Sequence, residues 1–127
     1  MSEPIRVVLV EDNEVFREAL ELLLGLRSEM EVVASVPDGG DAAAVAAKLS
    51  PDVVLMDYRL PGLDGVQATR AVREACPEAA VVVLTASANL RKRDALMEAG
   101  AVACLRKDDG LDAIINAIRE AARAEAA

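Results

Sequence analysis

The sequence contains no histidine. That absence removes Ser-His-Asp and Cys-His nucleophile systems, a common zinc ligand, and any phosphohistidine carried by the chain itself. A nucleophile must come from Asp, Glu, Ser, Thr, Lys or Cys. Aromatic residues are nearly missing as well: one Tyr, one Phe and no Trp. A core must therefore be assembled from Val, Leu, Ile and Ala, which a hydrophobic fraction of 54% supplies. The only cysteines, Cys76 and Cys104, lack the close spacing of a metal site. Two reduced thiols are expected, Cys76 as core filler and Cys104 as a small apolar residue. Basic charge is scarce, 14 Lys and Arg against 22 Asp and Glu, and the net charge of -8 repels phosphate backbones and anionic membranes. Direct nucleic-acid binding and membrane association are not expected of this chain. Long apolar runs are lacking too: Ile5 to Val10 carries Arg6 and is too short for a signal sequence or a membrane span. A cytoplasmic protein is expected, with residues 1–127 forming one domain and no second domain in the chain.

What is present is a regular alternation. Five short apolar runs recur at Ile5 to Val10, Val32 to Val36, Asp52 to Met56, Ala80 to Leu84 and Val102 to Leu105. Their nearly continuous apolar character suits strands of a parallel sheet covered on both faces. Between them run segments of helical period. Phe16, Leu20, Leu23 and Leu24 make one stripe, Ala42, Val45, Ala46 and Leu49 another, and Leu111, Ile114, Ile115, Ile118 and Ala122 a third. Asp38 ahead of Asp41, and Asp64 ahead of Gln67, stand as N-caps in capping-box spacing, and Ser87 stands as a cap for the fourth helix. Pro51, Pro77 and Gly100 mark stops. The pattern predicts an α/β fold, (βα)₅, with a five-stranded parallel sheet in the doubly wound, flavodoxin-like order 2-1-3-4-5. The Ala-rich end from Ala121 is expected to fray.

In such a sheet a ligand site lies beyond the carboxyl ends of the strands, at the switch point between strands 1 and 3. Strand 1 runs into Glu11 and Asp12, strand 3 into Asp57, strand 4 into Thr85, and strand 5 stops shortly before Lys107. Carboxylates brought together repel unless a cation joins them, and oxygen ligands without His or Cys favour Mg²⁺. Lys107 would offer charge, and Thr85 a hydroxyl, to a phosphoryl group, and Asp57 is a natural nucleophile for an acyl phosphate. Each residue alone has a plainer reading. Glu11 and Asp12 would be a helix cap and first-turn acids, Thr85 a strand-end hydroxyl, and Lys107 a solvated charge. Only their company at one sheet edge favours chemistry.

Glu11-Asp12, the run from Met56 to Gly65, Thr85-Ala86, and Gly100-Ala101 leading to Lys107-Asp108 together resemble the response-regulator receiver family of two-component signalling, across essentially the whole chain. Lys107-Asp108, where many receivers have Lys-Pro, is similar to the subfamily that precedes a LuxR-type DNA-binding domain. The resemblance implies Asp57 as phosphoacceptor, and Asp12, Asp57 and the carbonyl of Arg59 as Mg²⁺ ligands. Glu11 is implied to act through metal-bound water, with Thr85 and Lys107 gripping the phosphoryl group. It also implies a sensor histidine kinase or histidine phosphotransfer protein as partner, and self-association on phosphorylation. Transcriptional control would pass through an output domain absent from the chain. No catalysis is implied beyond the chain's own phosphorylation and dephosphorylation. Cys104 stands where the family usually has Tyr or Phe.

Three rival readings are weaker. A haloacid-dehalogenase-like phosphatase needs a second acid two residues after its nucleophilic Asp, and Arg59 occupies that place. A flavin-binding domain needs a hydroxyl- or Gly-rich loop after strand 1, which is missing. A receiver that works without phosphorylation would have lost one of Asp12, Asp57, Thr85 or Lys107.

Overall fold

The Val-rich runs become strands because their side chains find cover on both faces of one sheet. The computed structural model describes residues 3–60, 62–86 and 90–126. Its strands are β1 (Ile5–Val10), β2 (Met30–Val36), β3 (Val53–Asp57), β4 (Ala80–Thr85) and β5 (Ala103–Arg106), all parallel, in the order β2-β1-β3-β4-β5. The helices are α1 (Glu14–Gly25), α2 (Gly39–Leu49), α3 (Gly65–Ala75), α4 (Leu90–Ala99) and α5 (Leu111–Ala126), and a 3₁₀ turn, Lys107–Asp109, leads into α5.

Alternate residues of each strand feed two separate cores. Val7, Leu9, Val53, Leu55, Val82 and Leu84 point to the side of α1 and α5, where Leu20, Leu24, Ile114, Ile115 and Ile118 meet them. Val8, Val10, Val54, Met56, Val81 and Val83 point to the other side, against Ala42, Ala46, Ala68, Val72 and Leu96 of α2, α3 and α4. Small alanines on α2 and α3 let those helices lie close to the sheet.

The expected order 2-1-3-4-5 is the observed one, but several boundaries differ. Strand β2 starts at Met30, two residues before the expected start at Val32, because Met30 is buried and paired with Ile5. Strand β3 starts at Val53, after Asp52, whose carboxylate accepts the Arg6 N–H at 2.8 Å. Strand β5 starts at Ala103, after Val102, and runs to Arg106. Leu23 is 39% exposed, so the buried stripe of α1 is narrower than the sequence implied. Asn13 caps α1, in place of Glu11 or Asp12. Asp38 caps α2 through Gly40 N–H, without a box to Asp41, whereas the Asp64–Gln67 box is complete. Ser87 lies outside the described residues. The Ala-rich end continues as helix to Ala126, with Ala121 buried against the sheet.

The loop after β3 is held by a close approach. A Cβ placed on Gly65 would come within 2.9 Å of Tyr58 Cα and 3.1 Å of Tyr58 O, both backbone atoms that cannot swing aside. Helix propensity favours Ala over Gly by at most about 1 kcal/mol, less than the cost of displacing packed backbone. Gly65→Ala should therefore destabilise the fold by about 1–3 kcal/mol, read as a lower urea midpoint at unchanged slope. An equal or higher midpoint would show that Tyr58 and its loop yield freely.

Candidate functional site

Four chain segments deliver side chains to the carboxyl edge of the sheet. At the end of β1, Glu11 N–H donates to Val36 O at 3.0 Å, prolonging the ladder by one residue. Arg17 Nη1 donates to Glu11 O at 2.8 Å, and Glu11 Oε2 accepts the Asn13 N–H at 3.0 Å. Asn13 in turn accepts the Phe16 N–H, so the turn into α1 is fixed by its own polar groups. Glu11 is thereby folded inward, 2% exposed, while Asp12 stays in solvent. Asp57 is the last residue of β3 and is 5% exposed, and Thr85, also buried, ends β4. Arg59 lies two residues past Asp57 and lines a shallow groove of about 450 Å³ with Asp12, Tyr58, Leu60 and Asp64.

Lys107 opens the 3₁₀ turn after β5, and its Nζ reaches back over the edge, 2.8 Å from Glu11 Oε1 and 3.3 Å from Asp57 Oδ2. Arg106 braces that turn by donating from its N–H to Asp109 and from its guanidinium to Asp108, each at 2.9 Å. Glu11, Asp12 and Asp57 each present an oxygen within 4.8 Å of the others. Burial, then the charge of Glu11, push the Asp57 carboxyl from 3.8 up to about 7, against the opposing pull of Lys107. Burial alone would lower Lys107, but Glu11 and Asp57 outweigh it and hold the ammonium above its usual range. Among the described residues, Lys107 is the cation in contact with these carboxylates, which leaves the edge short of positive charge. Oxygen donors with open solvent on the Asp12 side suit a hard cation that keeps part of its water.

Every site residue expected from the sequence is at this edge. The sequence did not reveal Phe16 as a neighbour of the site. Its ring, assigned to the α1 core stripe, lies 4.6 Å from Lys107 Nζ. Tyr58, beside Asp57, carries Lys92 of α4 at 4.9 Å from its ring centre.

The family model for the response regulator receiver domain matches residues 7–119. The chain belongs to this family. Among curated relatives, the receiver is 36% identical over 121 residues to the transcriptional regulatory protein LiaR of Bacillus subtilis, covering 95% of this chain and 57% of that protein. It is 34% identical to the transcriptional regulatory protein DegU of Brevibacillus brevis, over 94% of this chain and 50% of that one. It thus spans little more than half the length of these relatives. Among solved structures, the signal receiver domain of NarL from Mycobacterium tuberculosis superposes with a TM-score of 0.90 at 33% identity, covering 96% of this chain and 98% of that one. The receiver domain of a sensor histidine kinase from Pseudomonas aeruginosa, solved with magnesium coordinated in its active-site cleft, gives 0.81 at 31% identity, over 94% and 98% of the two chains. Among the described residues of the receiver, no helix is long and apolar enough to cross a membrane.

The raised Asp57 carboxyl has a sign that can be tested without metal. Between 3.8 and about 7 the folded receiver holds a proton on Asp57 that the unfolded chain has lost. Stability from this group is therefore full below that window and is lost as pH rises through it. In EDTA, Asp57→Asn should gain on the wild type as pH rises from about 4 to about 7, by a few degrees in melting temperature. A difference that stays constant with pH would place the Asp57 carboxyl at an ordinary value.

Proposed function

We propose that this receiver takes a phosphoryl group onto Asp57 from a phosphohistidine of a sensor histidine kinase or a histidine phosphotransfer protein, with Mg²⁺ bound at the edge. The observation that carries the reading is a buried strand-end carboxylate with Lys107 at 3.3 Å and two further carboxylates beside it. A carboxylate oxygen of Asp57 attacks phosphorus. The new O–P bond forms as the donor N–P bond breaks, and the imidazole leaves with the electron pair and takes up a proton. Hydrolysis reverses the state: water attacks phosphorus, the O–P bond breaks, and the Asp57 carboxylate and inorganic phosphate are released.

Asp12, Asp57 and the carbonyl of Arg59 would hold Mg²⁺, and Glu11 would act through its water. The ion supplies charge neutralisation for the attacking carboxylate and the phosphoryl oxygens. Lys107 turns its donors to a phosphoryl oxygen, and the Thr85 hydroxyl binds another. The receiver catalyses only its own gain and loss of phosphate. On this reading residues 1–127 are one cytoplasmic signalling domain. Phosphorylation alters its self-association, and transcription is controlled through an output domain of the kind that LuxR-type regulators carry, not by nucleic-acid contact of this domain.

Incubation with acetyl phosphate and Mg²⁺ should add one base-labile phosphoryl mass, absent from Asp57→Asn. Intact-mass spectrometry showing equal labelling of that variant, or none in the wild type, would sink the assignment. Mg²⁺ should also raise the melting temperature of the wild type by relieving carboxylate repulsion, and Asp12→Ala should lose most of that rise. Equal shifts by scanning calorimetry in the two proteins would move the metal elsewhere.

A further inference from the structure

The chain has two aromatic rings, Phe16 and Tyr58, and each has a lysine ammonium against it. Phe16 stands in the first turn of α1, its N–H held by the Asn13 cap and α1 held to β1 by the bond from Arg17 to Glu11 O. Its ring is half-buried, packed at the margin of the core shared with α5, and lies 4.6 Å from Lys107 Nζ. We propose that Phe16 is a positioning residue for phosphoryl transfer, its π face holding the Lys107 ammonium in reach of the group bound to Asp57. This rests on Asp57 being the phosphoacceptor.

Lysine is a point charge on a four-carbon stem and must lose rotamer freedom to act at one place. In the resting receiver Glu11 at 2.8 Å and Asp57 at 3.3 Å confine it. Once Asp57 becomes an acyl phosphate, its carboxylate contact with Lys107 is lost, and the ammonium must re-seat on the phosphoryl oxygens. The ring is neutral, and its attraction does not change with the state of Asp57. It draws the ammonium by its quadrupole without supplying a carboxylate that would compete with phosphate for the charge. An aliphatic side chain of similar bulk would fill the same space and lack that pull.

Because Phe16 is the sole phenylalanine, growth on fluorinated phenylalanine alters this ring alone. One, two and three ring fluorines withdraw negative charge from the face stepwise while largely keeping its shape. With Mg²⁺ saturating, the maximal rate of Asp57 labelling by acetyl phosphate should fall with each fluorine, by roughly three- to tenfold across the series. Phe16→Tyr should stay near the wild type, and Phe16→Leu should fall as far as the trifluoro protein. In the unphosphorylated receiver, ring current should shift the Lys107 ε-methylene protons upfield, and Phe16→Leu should abolish that shift. A labelling rate indifferent to fluorine, or an unshifted Lys107, overturns the role of Phe16 and leaves the phosphoacceptor reading standing. Labelling absent from every form overturns the phosphoacceptor reading and the positioning role with it.

Discussion

Three carboxylates held within 4.8 Å of one another are the constraint around which the carboxyl edge of this receiver is built. Two unit charges at such a distance, at the effective dielectric of a protein surface, repel by about 3–4 kcal/mol. The sheet has to hold them there. It can, because Asp57 ends one inner strand and Glu11 directly follows another: Val7 to Val10 of β1 and Val53 to Met56 of β3 are buried throughout. Each fully buried Val or Leu contributes roughly 1.5–3 kcal/mol, so a few residues of either strand outweigh the repulsion. The strain is met within the site by the Lys107 ammonium and by retention of a proton on Asp57 to about pH 7. A site so arranged is left with a standing affinity for added positive charge.

The sheet was legible in the sequence because both of its faces are covered, which writes each inner strand as an unbroken apolar run. The edges were less so. Glu31 interrupts the apolar run of β2, yet an edge strand half open to solvent accommodates it, and buried Met30 on its far side belongs to the strand. Asp52 looks like the first residue of β3, but its side chain accepts the Arg6 N–H and the strand begins one residue later. In and just after α1, Leu22, Leu23 and Leu26 blur the period, since Leu20 and Leu24 are the leucines there that are buried in the core and the others are exposed. Helical spacing says which residues share a face; it does not say how wide a stripe the sheet will cover.

The candidate site was legible for a related reason. A fold of parallel strands brings all its strand ends to one edge, so acids, a hydroxyl and a lysine at those ends must meet wherever they stand in sequence. What strand counting could not give was the environment of Lys107. Its stem leaves a 3₁₀ turn near the end of the chain and crosses to a ring in the first turn of α1. No periodicity links the two, and the same spacing that put Phe16 in the α1 stripe concealed that the margin of that stripe borders the site.

The shortage of rings also shapes the ground between the acidic edge and α4. Cys104 occupies the β5 position where the family usually carries Tyr or Phe, and it packs at the margin of the core formed with α2, α3 and α4. Burial raises its thiol above the ordinary range despite the nearby Arg93 charge, so it behaves there as a small neutral side chain. A thiol turning inward buries far less apolar surface than a ring would, and drives a correspondingly smaller rearrangement. Tyr58 stands one residue from Asp57 with its N–H bonded to Leu84 O, and Lys92 of α4 lies over its ring. The carboxyl edge and α4 are thus joined on the β3 side by a backbone hydrogen bond and a ring contact. Tyr58 belongs to the loop after β3 and the cation over its ring belongs to α4, so the two segments share a contact that no β5 side chain is needed to make.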